Sequence, residues 1–295
     1  MKMERKKKLA GYLFLLPSFG FLCAFLLFPM VESVIKSFTN WNGFSPDYEF
    51  VGLKNYISIF TNNSAYWDAI LINLKFAIIS TAIQTLLGFL LAFAVYYMSQ
   101  RWQTFYKVAL YVPVILPAAV IAVMWTFMLS PDTGLVNTIL RAVGLDSLAH
   151  AWVGEKATAL GAIIAVNTWQ YVGFTMVLYF IAMQNISKDI FESAEIDGAN
   201  KWHKLRYFFL PLTAGTTEVN VVLSITGGMK SFALFYMMTG GGPGTATRVV
   251  SMLIYKTAFQ DYKFSVALAM STVLFVIILC LTLISRYMLS RTSTD

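Results

Sequence analysis

Charge is what this chain has least of. Only 13% of its 295 residues are Asp, Glu, Lys or Arg, where a soluble domain of this size carries roughly a quarter. Cysteine is almost missing as well. Cys23 and Cys280 each sit inside an apolar run and read as small packing residues, which argues against a disulfide framework. The two histidines, His150 and His203, fall in separate polar connections, so no zinc-type spacing exists and no metal site is expected. There is no Walker-type glycine loop and no catalytic triad, so no catalytic residue is expected. Internal repeats, coiled-coil heptads, low-complexity tracts and a large soluble domain are all lacking.

What fills the chain is apolar sequence, 58% of the residues, with a mean hydropathy of +0.65. A membrane-spanning helix needs about 20 predominantly apolar residues. Six stretches meet that length: Leu9–Val31, Phe76–Met98, Val108–Leu129, Thr158–Met183, Leu212–Phe235 and Ser265–Ile284. The first and last are uncharged, whereas the fifth carries Glu218 and Lys230. The apolar core of the first, 23 residues, exceeds the ~7–15 of a signal-peptide core, and no small-residue cleavage site follows, so it is expected to remain in the mature protein. The expected fold is therefore an all-α integral membrane protein of six transmembrane helices, with 1–295 forming a single domain.

Lys and Arg in the connections orient such a chain. The N-terminal tail (Lys2, Arg5, Lys6, Lys7, Lys8), the 99–107 connection, the 184–211 connection and the C-terminal end together hold 13 of the 22 basic residues. That bias puts both termini and the 184–211 connection in the cytoplasm. It also accounts for the net charge of +7, and since the basic residues form no continuous patch, no nucleic-acid partner is expected. Three segments then face outward. Residues 32–70 are rich in Asn, Asp and aromatics. In 130–157, a Pro131–Gly134 turn precedes an amphipathic piece, Leu135–Val143, suited to the membrane surface. In 236–263, the run Thr239-Gly240-Gly241-Gly242-Pro243-Gly244 must be a loop.

The polar 184–211 connection is the informative one. Ser187 suits a helix N-cap and Asp189 its first turn. The helix is expected over Lys188–Asp197 and to stop at Gly198. Ser193, Ala194, Gly198 and Ala199 are small enough to let another protein approach the backbone, while Glu192, Glu195 and Asp197 make the tip acidic. Trp202, Leu205 and Phe208, with Phe209, form an apolar stripe expected to pack on the protein's own spans.

Glu192-Ser193-Ala194, Gly198 four residues on, and Phe208-x-Leu210-Pro211 resemble the EAA loop of bacterial ATP-binding-cassette (ABC) importer permeases, with Ser193 where that family usually has Ala. Leu13-Phe14-Leu15-Leu16-Pro17, Phe50-Val51-Gly52-Leu53-Lys54-Asn55-Tyr56, and Thr239–Pro243 followed by Tyr255–Phe259 are similar to its sugar-importing branch, the permeases for maltose, multiple sugars and glycerol-3-phosphate. The resemblance covers essentially the whole chain. It implies a multi-pass permease subunit of the bacterial cytoplasmic membrane and not itself an enzyme. The implied partners are a second, different permease subunit, a dimer of cytoplasmic ATPase subunits that bind the ATP and Mg, an extracellular solute-binding protein, a sugar (an oligosaccharide) and the lipid bilayer. No cofactor is expected in this chain. The resemblance implies ATPase coupling through Glu192, Ser193, Ala194, Asp197, Gly198 and Ala199, with Glu192 as the carboxylate that meets a basic ATPase residue.

For the substrate path, Asn167, Gln170, Tyr171 and Phe174 share one face of the fourth span by spacings of three and four. Register with the larger maltose permease subunit, counted from Glu192, puts Gln170, Tyr171 and Phe174 on its pocket. Register from Pro211-Leu212 puts Ser224, Gly227, Gly228 and Ser231 there. The two glycines leave room for substrate or allow close helix packing. Lys230 reads as a lysine snorkelling to the outer surface, the alternative being contact with an acidic substrate group or an acid of the sister subunit. Glu218 reads as structural, near the cytoplasmic interface. A secondary transporter, an intramembrane enzyme and a permease for another solute class are the competing readings.

Overall fold

In a computed structural model, residues 15–292 are described. The basic N-terminal tail, residues 9–14 of the first expected span, and Leu13 and Phe14 lie outside them. The helices in chain order are α1 (Leu15–Lys36), α2 (Lys54–Asn62), α3 (Ser64–Tyr96), α4 (Gln100–Ile115), α5 (Ala118–Met128), α6 (Leu135–Ala142), α7 (Ala159–Gln184), α8 (Lys188–Ile196), α9 (Lys201–Leu212), α10 (Ala214–Met229), α11 (Ala233–Thr239), α12 (Val250–Phe259) and α13 (Phe264–Thr292). No strand occurs among the described residues, beyond one isolated antiparallel bridge between Thr39 and Phe50. The protein is all-helical.

Four helices, α1, α3, α7 and the greater part of α13, are long and apolar enough to cross a membrane, and two bent pairs raise that number to six if each counts as one span. Two of the expected spans are therefore not single rods. The stretch expected as Val108–Leu129 is α4 and α5, bent by 98°. Its cause is Pro117: the proline ring pushes the preceding residue out of the helical region, and Leu116 is extended at ψ 139°. The stretch expected as Leu212–Phe235 begins at a 63° bend between α9 and α10 and breaks again at Lys230–Phe232.

The described residues divide into two compact units: 15–64 with Ile254–Phe275, and Ala65–Leu253 with 276–292. In the first, the apolar window of α1 buries none of its side chains, as befits a helix whose solvent is lipid or another protein. Asn55 organises the segment after it. Its amide nitrogen donates to the Ser37 and Thr39 carbonyls, both at 2.8 Å. The Trp41 carbonyl accepts from Ser265 twice, from N at 3.1 Å and from Oγ at 2.9 Å.

In the second unit, two apolar clusters fill the interior. One joins Phe76, Ile121, Ile163, Phe235 and Met238; the other joins Phe89, Tyr179, Phe191, Leu205 and Phe209. Since lipid is as apolar as these side chains, buried polar contacts add specificity to helix pairing. Thr175 Oγ1 donates to Asn220 Oδ1 (3.0 Å), whose amide donates on to Thr85 Oγ1 (2.8 Å), linking α7, α10 and α3. Tyr179 donates to Thr217 at 2.7 Å. Asn73 on α3 ties the end of α10 to the start of α12: it donates to the Gly228 carbonyl at 3.1 Å and accepts from the Val250 N–H at 2.8 Å. The Val250 N–H is one of the donors that a helix N-terminus leaves without an intrahelical partner.

Candidate functional site: a polar cavity and a capped helix pair

The bend at Pro117 and the break at Lys230–Phe232 open onto one cavity of about 700 Å³, within the second unit. All eight residues expected on the substrate path line it: Asn167, Gln170, Tyr171 and Phe174 from α7, Ser224, Gly227 and Gly228 from α10, and Ser231 from the break that follows. Non-helical backbone at membrane depth is tolerated where it is buried in protein or lines a cavity, and here it does the latter.

The polar groups on this wall divide into braced and open ones. Gln84 Nε2 donates to Asn167 Oδ1 at 2.7 Å, which leaves the Asn167 amide nitrogen available as a donor. Gln170 is almost fully buried, and its Nε2 donates to the Leu116 carbonyl freed at the Pro117 break, at 3.3 Å. Its Oε1 has no partner among the described residues. The side-chain hydroxyls of Ser224, Ser231 and Tyr171 make no hydrogen bond among the described residues. Tyr111 and Phe174, 6.5 Å apart between ring centres, add aromatic faces. Such a wall offers hydroxyl, amide and ring contacts together.

The two glycines differ. A Cβ at Gly227 would meet nothing within 4 Å, whereas one at Gly228 would stand 2.9 Å from Ala77 Cα and Cβ on α3. Gly227 leaves space; Gly228 lets two helices approach. Lys230 caps the C-terminus of α10, is exposed, and lines the cavity. Glu218 pairs with Arg286 at 3.3 Å.

The 184–211 segment folds as two short helices joined by a tight turn. Ser187 Oγ accepts from the Asp189 N–H at 3.3 Å at the start of α8. At its end Gly198 adopts φ +80°, the Gly198 N–H bonds the Glu195 carbonyl (3.0 Å), and the Ala199 N–H reaches back to Ala194 (2.9 Å). This is the double closure that a left-handed glycine permits. Asn200 then caps α9, accepting from the N–H groups of Trp202 (3.0 Å) and His203 (2.9 Å). Lys204 Nζ is paired with the Glu195 carboxylate, locking the two helices together.

Among the six residues expected to face an ATPase, Glu192, Ser193, Asp197 and Gly198 are exposed and Ala199 partly so. Ala194 is not: it is 6% exposed, because it lies three positions after Phe191 on the inward stripe. Phe191 stacks on Phe209 with ring centres 4.8 Å apart. The apolar stripe of α9 also differs in part from expectation. Leu205 and Phe209 pack inward, but Trp202 is exposed, as is Ile196 at the tip of α8. Sequence reasoning missed Gln84, Tyr111 and the Glu195–Lys204 pair. The only visible signal for Gln84 was an amide in the middle of an apolar run.

Comparison with known proteins identifies the architecture. Residues 84–294 match the model of the binding-protein-dependent transport system inner membrane component family. The probable ABC transporter permease protein YurN of Bacillus subtilis is 37% identical, over 95% of this chain and 96% of its own. The diacetylchitobiose uptake system permease protein NgcF of Streptomyces coelicolor is 30% identical, over 85% of this chain and 73% of its own. A solved structure of a bacterial alginate ABC transporter, in complex with an alginate pentasaccharide-bound periplasmic protein, superimposes with a TM-score of 0.84 over 99% of this chain and 98% of its own, at 23% identity, which speaks for the fold. The chain belongs to the family of binding-protein-dependent transport system inner membrane components, integral membrane permease subunits of ABC transporters.

Proposed function

We propose that this chain is one half of the translocation path of an ATP-driven oligosaccharide importer, working with a second, different permease subunit, a dimer of cytoplasmic ATPase subunits and an extracellular solute-binding protein. The observation that carries this reading is the convergence of eight residues, from two helices and a break, on a single cavity. Sugars present hydroxyls to hydrogen-bond and C–H faces to stack, and this wall supplies amides, hydroxyls and aromatic rings. The naming of a relative for diacetylchitobiose uptake agrees with an oligosaccharide cargo.

In this reading residues 1–295 form one multi-pass domain in a bacterial cytoplasmic membrane, with both termini and the 184–211 segment in the cytoplasm. The chain performs no chemistry; ATP and Mg are bound by the ATPase subunits. The α8–α9 pair docks in a groove of an ATPase subunit, where Glu192 meets a basic residue. Glu192 is exposed and has no ion-pair partner among the described residues. The capped ends, the Gly198 turn and the Glu195–Lys204 pair make the unit stiff enough to transmit the closing of the ATPase dimer to α7 and α10.

The test is a tagged pull-down from mild-detergent membranes. Recovery of a second permease and an ATPase, both lost when residues 192–198 are scrambled, is the expected result. A chain that purifies alone, stable and monodisperse, overturns the reading.

A further inference from the structure

We infer that the saccharide carried through this cavity is anionic, bearing a carboxylate or a phosphate that Lys230 receives. The inference rests on the importer reading above and names the substrate class for the same cavity.

Lys230 is the single ionisable side chain with a formal charge at neutral pH among the residues lining the cavity, and no Asp or Glu lines it. No ion-pair partner for Lys230 exists among the described residues. The lysine is flanked by apolar helices on both sides, α10 before it and α11 after it, a setting in which an ammonium is costly and faces a cavity or a partner.

The local backbone points the same way. The Lys230 N–H closes α10 on the Thr226 (3.3 Å) and Gly227 (3.2 Å) carbonyls, and the helix then breaks before α11. The break sets Lys230 beside Ser231, while Gly227 one turn back leaves open space. A cation, a hydroxyl and a vacant surface thus adjoin one another. A low-dielectric wall strengthens attraction to an anion compared with open water. The remaining polar groups, the Asn167 amide and the Ser224 and Tyr171 hydroxyls, suit the neutral ring atoms of the same molecule. The volume of about 700 Å³ lies within the ~300–1,000 Å³ of small-molecule sites.

The experiment is ATP-dependent uptake by the complete importer, with its binding protein, in proteoliposomes. The probes are digalacturonate and trigalacturonate, their neutral methyl esters, a hexose 6-phosphate, and neutral disaccharides and trisaccharides. The expected result is uptake of the uronates or of the phosphate in preference to every neutral probe. Lys230→Gln should lower that uptake roughly tenfold or more, tenfold being ~1.4 kcal/mol, and Lys230→Arg should restore most of it. Preference for uronate or for phosphate distinguishes the two anions.

Preferred uptake of neutral saccharides, or an unchanged rate in Lys230→Gln, overturns the inference and leaves the importer reading standing. Loss of the second permease from the purified complex on Lys230→Gln also overturns it, since Lys230 would then pair across a subunit interface. Failure of any ATPase to copurify with the chain overturns the importer reading and the inference together, and an importer that retains its ATPase yet takes up no anionic probe overturns the inference alone.

Discussion

Lys204, almost fully buried, is paired with the carboxylate of Glu195 across the Gly198 turn. The pair makes α8 and α9 one body. Glu195 is mostly exposed, so the bond satisfies the ammonium more than it satisfies the acid. Replacing Glu195 by Ala strands a buried cation, at a cost of about 1–3 kcal/mol. The amides of residues 198–204 should then exchange faster with deuterium, while α3 and α7 stay unchanged. Glu195→Gln retains an acceptor and should give the smaller effect. Equal exchange in both variants and in the wild type would show that the pair holds nothing.

Glu192 lies on the same helix but faces outward. Under the proposed docking it meets a cation on the ATPase, and a charge-assisted bond of this kind contributes ~1.5–3 kcal/mol. Glu192→Ala should assemble in the membrane at wild-type levels and lose transport-coupled ATPase activity by about tenfold or more. Wild-type coupling in that variant would sink the assignment.

Gly227 and Gly228 are adjacent in sequence and opposite in consequence. Gly228→Val drives a side chain into Ala77 on α3, an overpacking of about 1–3 kcal/mol that should lower folded yield and thermal stability. Gly227→Val meets open space and should fold normally while changing uptake, because its side chain occupies the cavity. Similar yields for the two variants would contradict the assignment of one glycine to packing and the other to space.

Gln170 braces the bend at Pro117 by donating to the Leu116 carbonyl. Gln170→Leu leaves that carbonyl without its donor and should cost about 1–3 kcal/mol of stability. Gln170→Glu, carrying no amide donor, should not rescue it. A thermal-shift series in detergent checks both variants.

The capping signals of α8 needed no tertiary information. Ser187 caps, Asp189 sits in the first turn, and Gly198 terminates, because each acts through atoms only a few residues away. The facing of Ala194 was different. Periodicity put it on a helix, but which stripe turned inward depended on Phe209 from the next helix stacking on Phe191.

The apolar runs told in advance that this is an all-helical membrane protein, since continuous stretches of about 20 apolar residues suit a helix that bonds its own backbone in lipid and lack the alternation of a barrel strand. The same local chemistry assigned α7 and α10 their polar residues, and spacing sorted those of α7 onto one face. Span shape was not legible in the runs: Pro117 bends one expected span through 98°, and a second span breaks at Lys230–Phe232, just after the Gly228 carbonyl that Asn73, 155 residues away, bonds. The cavity needed the fold, because it exists where those breaks, α7 and α10 meet. The place of Lys230 on its wall, and the division of labour between Gly227 and Gly228, follow from distances to atoms remote in sequence, which no run of neighbouring residues encodes.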